Sequence, residues 1–140
     1  MRFMIIVKAT ADTEAGKFPE GPELEKLMGA MAAYHEDLAK AGALLDGSGL
    51  QPSAKGWRIH YQGSERKVLD GPFAEAKELI AGYTVIQVRS REEAMEWSRR
   101  FPNPMGEGVE AWIEVRQLYE LEDLKPTEEL AGRFRDIGME

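Results

Sequence analysis

The chain contains no cysteine. Disulfides, thiolate nucleophiles and cysteine-ligated zinc or iron–sulfur centres are therefore excluded, and nothing in the sequence requires an oxidising compartment. Long apolar runs are missing too. Phe3 to Val7 is interrupted at Lys8, too short for a signal h-region or a bilayer span, so it reads as the first strand of a cytoplasmic protein. Positive charge is in deficit, with a formal net of −7. A phosphate-backbone partner needs a basic stripe, and the only dense basic spots, Arg89-Ser90-Arg91 and Arg99-Arg100, bracket one helix as solvated ends. Neither a nucleic-acid nor a membrane partner is expected. Histidine is scarce: His35 and His60 stand far apart with no HxH or HxxxH spacing, a poor metal signal. No glycine-rich phosphate loop, serine nucleophile elbow or dinucleotide fingerprint is present, and no cofactor is expected.

What is present is globular. A length of 140 residues, 43% of them apolar, suits a single domain with a real core. Arg2 to Ala9 alternates as a strand with both faces apolar: Phe3, Ile5 and Val7 against Met4 and Ile6. Thr10 to Gly21 reads as a polar loop ending in a helix entry with Pro22 at the first helical position. The helix runs to about Ala41, its stripe formed by Leu24, Leu27, Met28, Met31, His35 and Leu38. Tyr34 falls off that stripe, and Gly42 ends the helix.

Ala43 to Leu50 reads as a short strand broken at Gly47 and Gly49, followed by a hairpin through residues 57–69 with a turn at Gly63-Ser64. Leu79 to Val88 is the strongest strand, apolar on both faces. Ser90-Arg91-Glu92-Glu93 is a capping box opening a helix that Pro102 halts. A last strand is read over Val109 to Tyr119, and a C-terminal helix from about Thr127 carries Leu130, Phe134 and Ile137 as a stripe.

The order is β-α-β, an inserted hairpin, then β-α-β and a tail. It predicts an α+β ferredoxin-like sandwich with a mainly antiparallel sheet, with residues 1–119 as the domain and 120–140 as a helical extension. The apolar second face of the sheet predicts a homodimer packed sheet against sheet. The tail, with seven carboxylates against three basic side chains over 120–140, is the expected clasp.

His35 is the first candidate for chemistry. An imidazole on a buried stripe must hydrogen-bond or border a cavity, and histidine's reference pKa of about 6.5 suits a general base beside a carboxylate. A core histidine satisfied by a backbone carbonyl is the alternative. Asp46, before Gly47, and Asp70, which begins Asp-Gly-Pro, are the candidate carboxylates. Each also has a purely structural use in a turn. His60 sits among polar neighbours on the hairpin.

The stretch Val68-Leu69-Asp70-Gly71-Pro72-Phe73-Ala74-Glu75-Ala76-Lys77-Glu78, followed by Gly82-Tyr83, resembles the signature of the DGPF group within the YCII-related superfamily. Residues 34–52, 90–102 and 113–116 are similar to that family's helix-to-strand passage, second helix and closing strand. The resemblance implies a ferredoxin-like fold, usually dimeric, with a pocket between helix and sheet. The wider superfamily resembles muconolactone isomerases and includes a dehydrochlorinase, with a His–Asp pair proposed to move protons. His35 matches the helical histidine of that pattern. Where relatives of the catalytic type often show Asp-Pro, this chain has Phe101-Pro102. Two functions are expected on this basis. One is a small-molecule enzyme using His35 with Asp70 or Asp46 on a cyclic or lactone-like substrate. The other is a non-catalytic ligand-binding or regulatory dimer associated with stress or sigma-factor signalling.

Overall fold

The computed structural model describes residues 1–139. Four strands form one sheet: β1 (Arg2–Lys8), β2 (Leu44–Gly49), β5 (Ile80–Gln87) and β6 (Ile113–Gln117), in the spatial order β2-β5-β1-β6. Every pairing is antiparallel. The two strands apolar on both faces, β1 and β5, are the two central ones, which is where a strand loses contact with solvent most completely. Helices α2 (Pro22–Lys40) and α3 (Arg91–Arg99) make the crossovers. This is the ferredoxin-like α+β arrangement. The hairpin strands β3 (Trp57–Gln62) and β4 (Glu65–Asp70) form a separate two-stranded ribbon.

Helix ends obey local chemistry. Glu23 and Glu25 occupy the first turn of α2 and Lys40 the last, matching the helix dipole, and Gly42 leaves the helix with φ +71°, a conformation glycine adopts without steric cost. At α3 the Ser90 hydroxyl accepts from the Glu93 amide at 3.1 Å, while the Glu93 carboxylate accepts from Arg89 N at 3.0 Å. The box thus closes one residue earlier than its usual form. In the tail, α4 (Glu128–Asp136) is capped by Thr127.

Three expectations need correction. The polar loop over 10–21 contains a short helix, α1 (Ala11–Glu14), because the Thr10 and Thr13 side chains cap it reciprocally. Strand β2 runs through Gly47 rather than breaking there, and ends at Gly49. The closing strand starts only at Ile113: Gly106 and Gly108 take positive φ, and the Asn103 amide donates to the Val109 carbonyl at 2.7 Å, holding that stretch as a loop.

The core between helices and sheet joins Phe3 and Ile5 of β1, Ile86 of β5, Leu38 of α2 and Trp97 of α3. Tyr34 belongs to it as well and is 5% exposed, whereas Met28 is exposed. The buried stripe of α2 therefore runs along Leu27, Met31, Tyr34 and Leu38, rotated from the expected line toward Tyr34. The phenol of Tyr34 donates to the Trp97 carbonyl at 2.8 Å, fastening α2 to α3. Burial pushes this phenol up to about 12, with Arg100 acting in the opposite sense. An unfolded tyrosine ionises near 10, so the stabilisation is complete below pH about 10 and is lost as pH rises toward 12. Tyr34→Phe is expected to cost about 1 kcal/mol at neutral pH. In melting experiments the parent should lose stability more steeply than the variant between pH about 10 and 12.

Candidate functional site

His35 sits on α2 one helical turn beyond Met31, so its ring reaches back along the helix. Nδ1 lies 2.7 Å from the Met31 carbonyl. A carbonyl only accepts, so Nδ1 carries the proton and the neutral ring presents a bare Nε2. That Nε2 lies 2.9 Å from Thr84 Oγ1, and in the neutral ring it accepts a hydrogen bond from the hydroxyl. Thr84 is 2% exposed and sits on central strand β5, where its neighbours on the helix-facing side are Gly82 and Ile86. The two residues, 49 apart in sequence, meet because α2 packs across β5.

The pair borders a cavity of about 450 Å³ between α2 and the sheet. Its walls are mainly apolar, with Val7, Met31, Leu44 and Phe101 among them. Phe101 stands edge-on to His35 at 6.2 Å between ring centroids, and it occupies the position where the resemblance led one to look for aspartate. Gly47 completes the opening: a Cβ there would lie 3.7 Å from His35 Nε2 and 3.6 Å from Thr84 Oγ1. The missing side chain leaves Nε2 uncovered on that side.

Neither candidate carboxylate lines this cavity or hydrogen-bonds to His35. Asp46 is exposed on edge strand β2. One of its oxygens accepts from the Gly47 amide at 2.8 Å and the other from the Tyr83 hydroxyl at 3.1 Å. That hydrogen bond, with the negative charge behind it, pushes the Tyr83 phenol up. Asp46→Asn is expected to bring Tyr83 back toward the ordinary value near 10, read as the change in phenolate absorbance that Tyr83→Phe removes.

Asp70 ends β4 opposite Trp57, at the base of the ribbon. The residues beyond it anchor that base. The Gly71 amide donates to the Gly56 carbonyl at 3.0 Å, and the Phe73 amide donates to Ser53 Oγ at 3.1 Å. Ser53 in turn is held by the Glu14 carboxylate through its amide, at 3.0 Å, and its hydroxyl. Arg58 lies 3.7 Å over the Phe73 ring. His60 is exposed on the ribbon.

Sequence reasoning missed Thr84, Phe101 and the Ser53–Glu14 contact. Thr84 carried a signal: it is the one hydroxyl on the helix-facing side of an otherwise apolar strand. The contact of Glu14 with Ser53 has no local signature, since 39 residues separate them.

Among the described residues no group of three or more His, Asp or Glu side chains is placed to hold a metal ion, and no helix is long and apolar enough to cross a membrane. A family model of the YCII-related domain matches residues 1–121. An uncharacterised protein of Rhizobium meliloti (strain 1021) is 32% identical over 81 residues, which are 58% of this chain and 65% of that protein. The match thus spans somewhat less than two thirds of the relative's length. Among solved structures, 5-chloro-2-hydroxyhydroquinone dehydrochlorinase from Burkholderia phenoliruptrix AC1100, in complex with 2,5-dihydroxybenzoquinone, is similar with a TM-score of 0.43 and 13% identity. That similarity covers 88% of this chain and 98% of the other.

Proposed function

The chain belongs to the YCII-related domain family, and from that premise and the geometry of the cavity we propose that it binds a compact cyclic small molecule against His35 and moves a proton with the imidazole. The observation that carries this reading is the His35–Thr84 pair on the wall of a mainly apolar cavity. A volume of about 450 Å³ lies within the range of small-molecule sites, and a few convergent polar groups in apolar walls are their usual composition.

Each partner of His35 has a part in the chemistry. The Met31 carbonyl fixes the tautomer and the ring plane, which a proton-transfer base needs before it needs strength. Thr84 can serve both states of the ring. It donates to the bare Nε2, and it accepts from Nε2–H after a proton has been taken from substrate. A lactone-like or hydroxylated cyclic substrate would place its acidic C–H or O–H toward Nε2, through the gap above Gly47, with the Thr84 hydroxyl turning away to free the single lone pair of Nε2 before it takes the proton. Asp46 and Asp70, outside the cavity lining, have no direct part in this reading.

One observation favours a second reading, in which the site binds a ligand without turning it over. Among the described residues, the group behind Nδ1 is a neutral carbonyl rather than a carboxylate, so nothing ionic stabilises an imidazolium there. A panel of lactones and chlorinated hydroxyaromatics separates the two. Consumption of a panel member by the parent protein, abolished in His35→Ala, supports catalysis. Saturable binding with no consumption supports the ligand-binding reading, and absence of both from the whole panel contradicts the choice of ligand class.

A further inference from the structure

On the helix-facing side of the sheet Phe3 and Ile5 of β1 are buried, but Val7, on the same face, is only half-buried. Its neighbour across the sheet is Gly82, and Gly82 pairs with Gly49 on β2. No side chain rises from either glycine, so the floor of the His35 cavity beside Val7 is bare backbone. A Cβ on Gly82 would lie 2.9 Å from the Ser48 carbonyl oxygen, which holds this level of the sheet to glycine. The strand pairing also slips here. Val7 pairs with Gly82 and Lys8 with Ile80, leaving Ala81 over as a bulge, a device that re-aims side chains beside functional sites.

Val7 and Ala81 line the His35 cavity and also a second cavity, of about 660 Å³, bounded by α1, the start of α2 and the loop after α3. Its apolar wall is made by Phe18, Leu27, Met105 and Val109. That wall is held in place. The Met105 amide donates to Asn103 Oδ1 at 3.0 Å, and the Thr10 hydroxyl donates to Met105 Sδ at 3.9 Å. The other end of the Asn103 side chain holds the Val109 carbonyl. Phe18 is 63% exposed and Val109 51%, so the wall is open to an incoming ligand. At the rim Asp12, Glu23 and Glu110 stand against Lys17, a balance that disfavours an anionic group.

We infer that the two cavities take one ligand. Its ring lies against His35, and an uncharged apolar substituent on that ring passes over Ala81 into the second cavity, against Leu27, Met105 and Val109. This inference rests on the reading of the His35 site given above, and it makes the ligand a ring with an apolar arm rather than a bare ring. The arm contributes affinity by burying apolar surface. It also orients the ring, since the edge that carries the arm must face Ala81 while another edge faces Nε2.

Lactones and hydroxyaromatics carrying straight alkyl chains of increasing length, titrated into the full-length chain, test this. Affinity is expected to rise about three- to fourfold per methylene until the second cavity is filled, and a carboxylate at the end of the chain should cancel the gain. The bare ring should move the His35 Hε1 signal alone. Longer chains should also move the Met105 methyl signal, identified by its loss in Met105→Leu. Val109→Asp and Phe18→Ser, both at exposed positions, should each remove about tenfold or more of the affinity that the chain adds, while the bare ring binds as it does to the parent. Circular dichroism checks that each variant is folded, and if Val109→Asp is not, Phe18→Ser decides. If the bare ring moves His35 but lengthening the chain adds no affinity, or the gain survives unchanged in both variants, this inference falls while the site at His35 stands. Binding that never moves the His35 signal, or no binding at any chain length, overturns both.

Discussion

His35→Ala is expected to lower turnover of any panel substrate by about 10²–10⁴-fold, the usual contribution of a positioned acid–base group. The direction of the lone pair is what matters. Nδ1 is committed to the Met31 carbonyl at 2.7 Å, so proton traffic is confined to Nε2, the nitrogen on the cavity wall beside Thr84. Alanine removes the acceptor and leaves the Thr84 hydroxyl without its partner, at a cost of about 1–3 kcal/mol in stability. The Met31 carbonyl keeps its place in the helical ladder. His35→Gln provides the control, because an amide can still hydrogen-bond to Thr84 but cannot accept a proton at neutral pH. Binding retained with turnover lost in that variant identifies proton transfer as the step affected. Parental turnover in either variant removes His35 from the chemistry.

Gly71→Ala should be the most damaging single change in the Asp70-Gly71-Pro72-Phe73 run. A Cβ at Gly71 would lie 1.8 Å from the Ser53 carbonyl oxygen and 2.7 Å from its carbon. Both are backbone atoms of a turn that Glu14 grips from the other side, so neither can swing away as the end of a side chain would. Overpacking of this kind costs about 1–3 kcal/mol and occasionally more, and the upper end is expected here. Relief requires the ribbon to separate from Ser53, breaking the Phe73 N–H bond to Ser53 Oγ. Hydrogen exchange should show the loss in the ribbon and at Phe73 while the core amides of β1 and β5 keep their protection. A variant with the parent's melting temperature and ribbon protection would contradict this role for Gly71.

The same two regions show what was legible from the sequence. Periodicity located β1, α2, β5 and α3 because their apolar faces repeat at the period of the element, whereas the two-sided apolarity of β1 and β5, read as a dimer face, goes with their central place in the sheet. The closing strand was overextended because Val109 and Ala111 alternate like a strand, while the glycines at 106 and 108 that hold them in a loop act through φ rather than hydropathy. Tyr34 was placed off the stripe because a short apolar pattern fixes a helix face only to within a residue or so, and its hydroxyl finds Trp97 on another helix.

At the site, His35 was legible as a polar residue on a buried face. Its partner was not, because a search for carboxylates passes over a threonine. The carboxylate at Asp46 went instead to Tyr83, and the turn at Asp70 became the foot of the ribbon. Long-range side-chain pairings of this kind depend on how α2 lies across β5, which no local window of sequence contains.

A ligand that enters the cavity beside His35 must disturb the imidazole, whose resonances report on it directly. The chain has two histidines, so its spectrum holds two Hε1 signals, with His60 on the exposed ribbon as an internal reference. Titration of the lactone and chlorinated hydroxyaromatic panel is predicted to move the His35 signal saturably and leave that of His60 in place. A panel member that binds saturably while shifting only His60, or neither signal, would contradict a ligand site at His35.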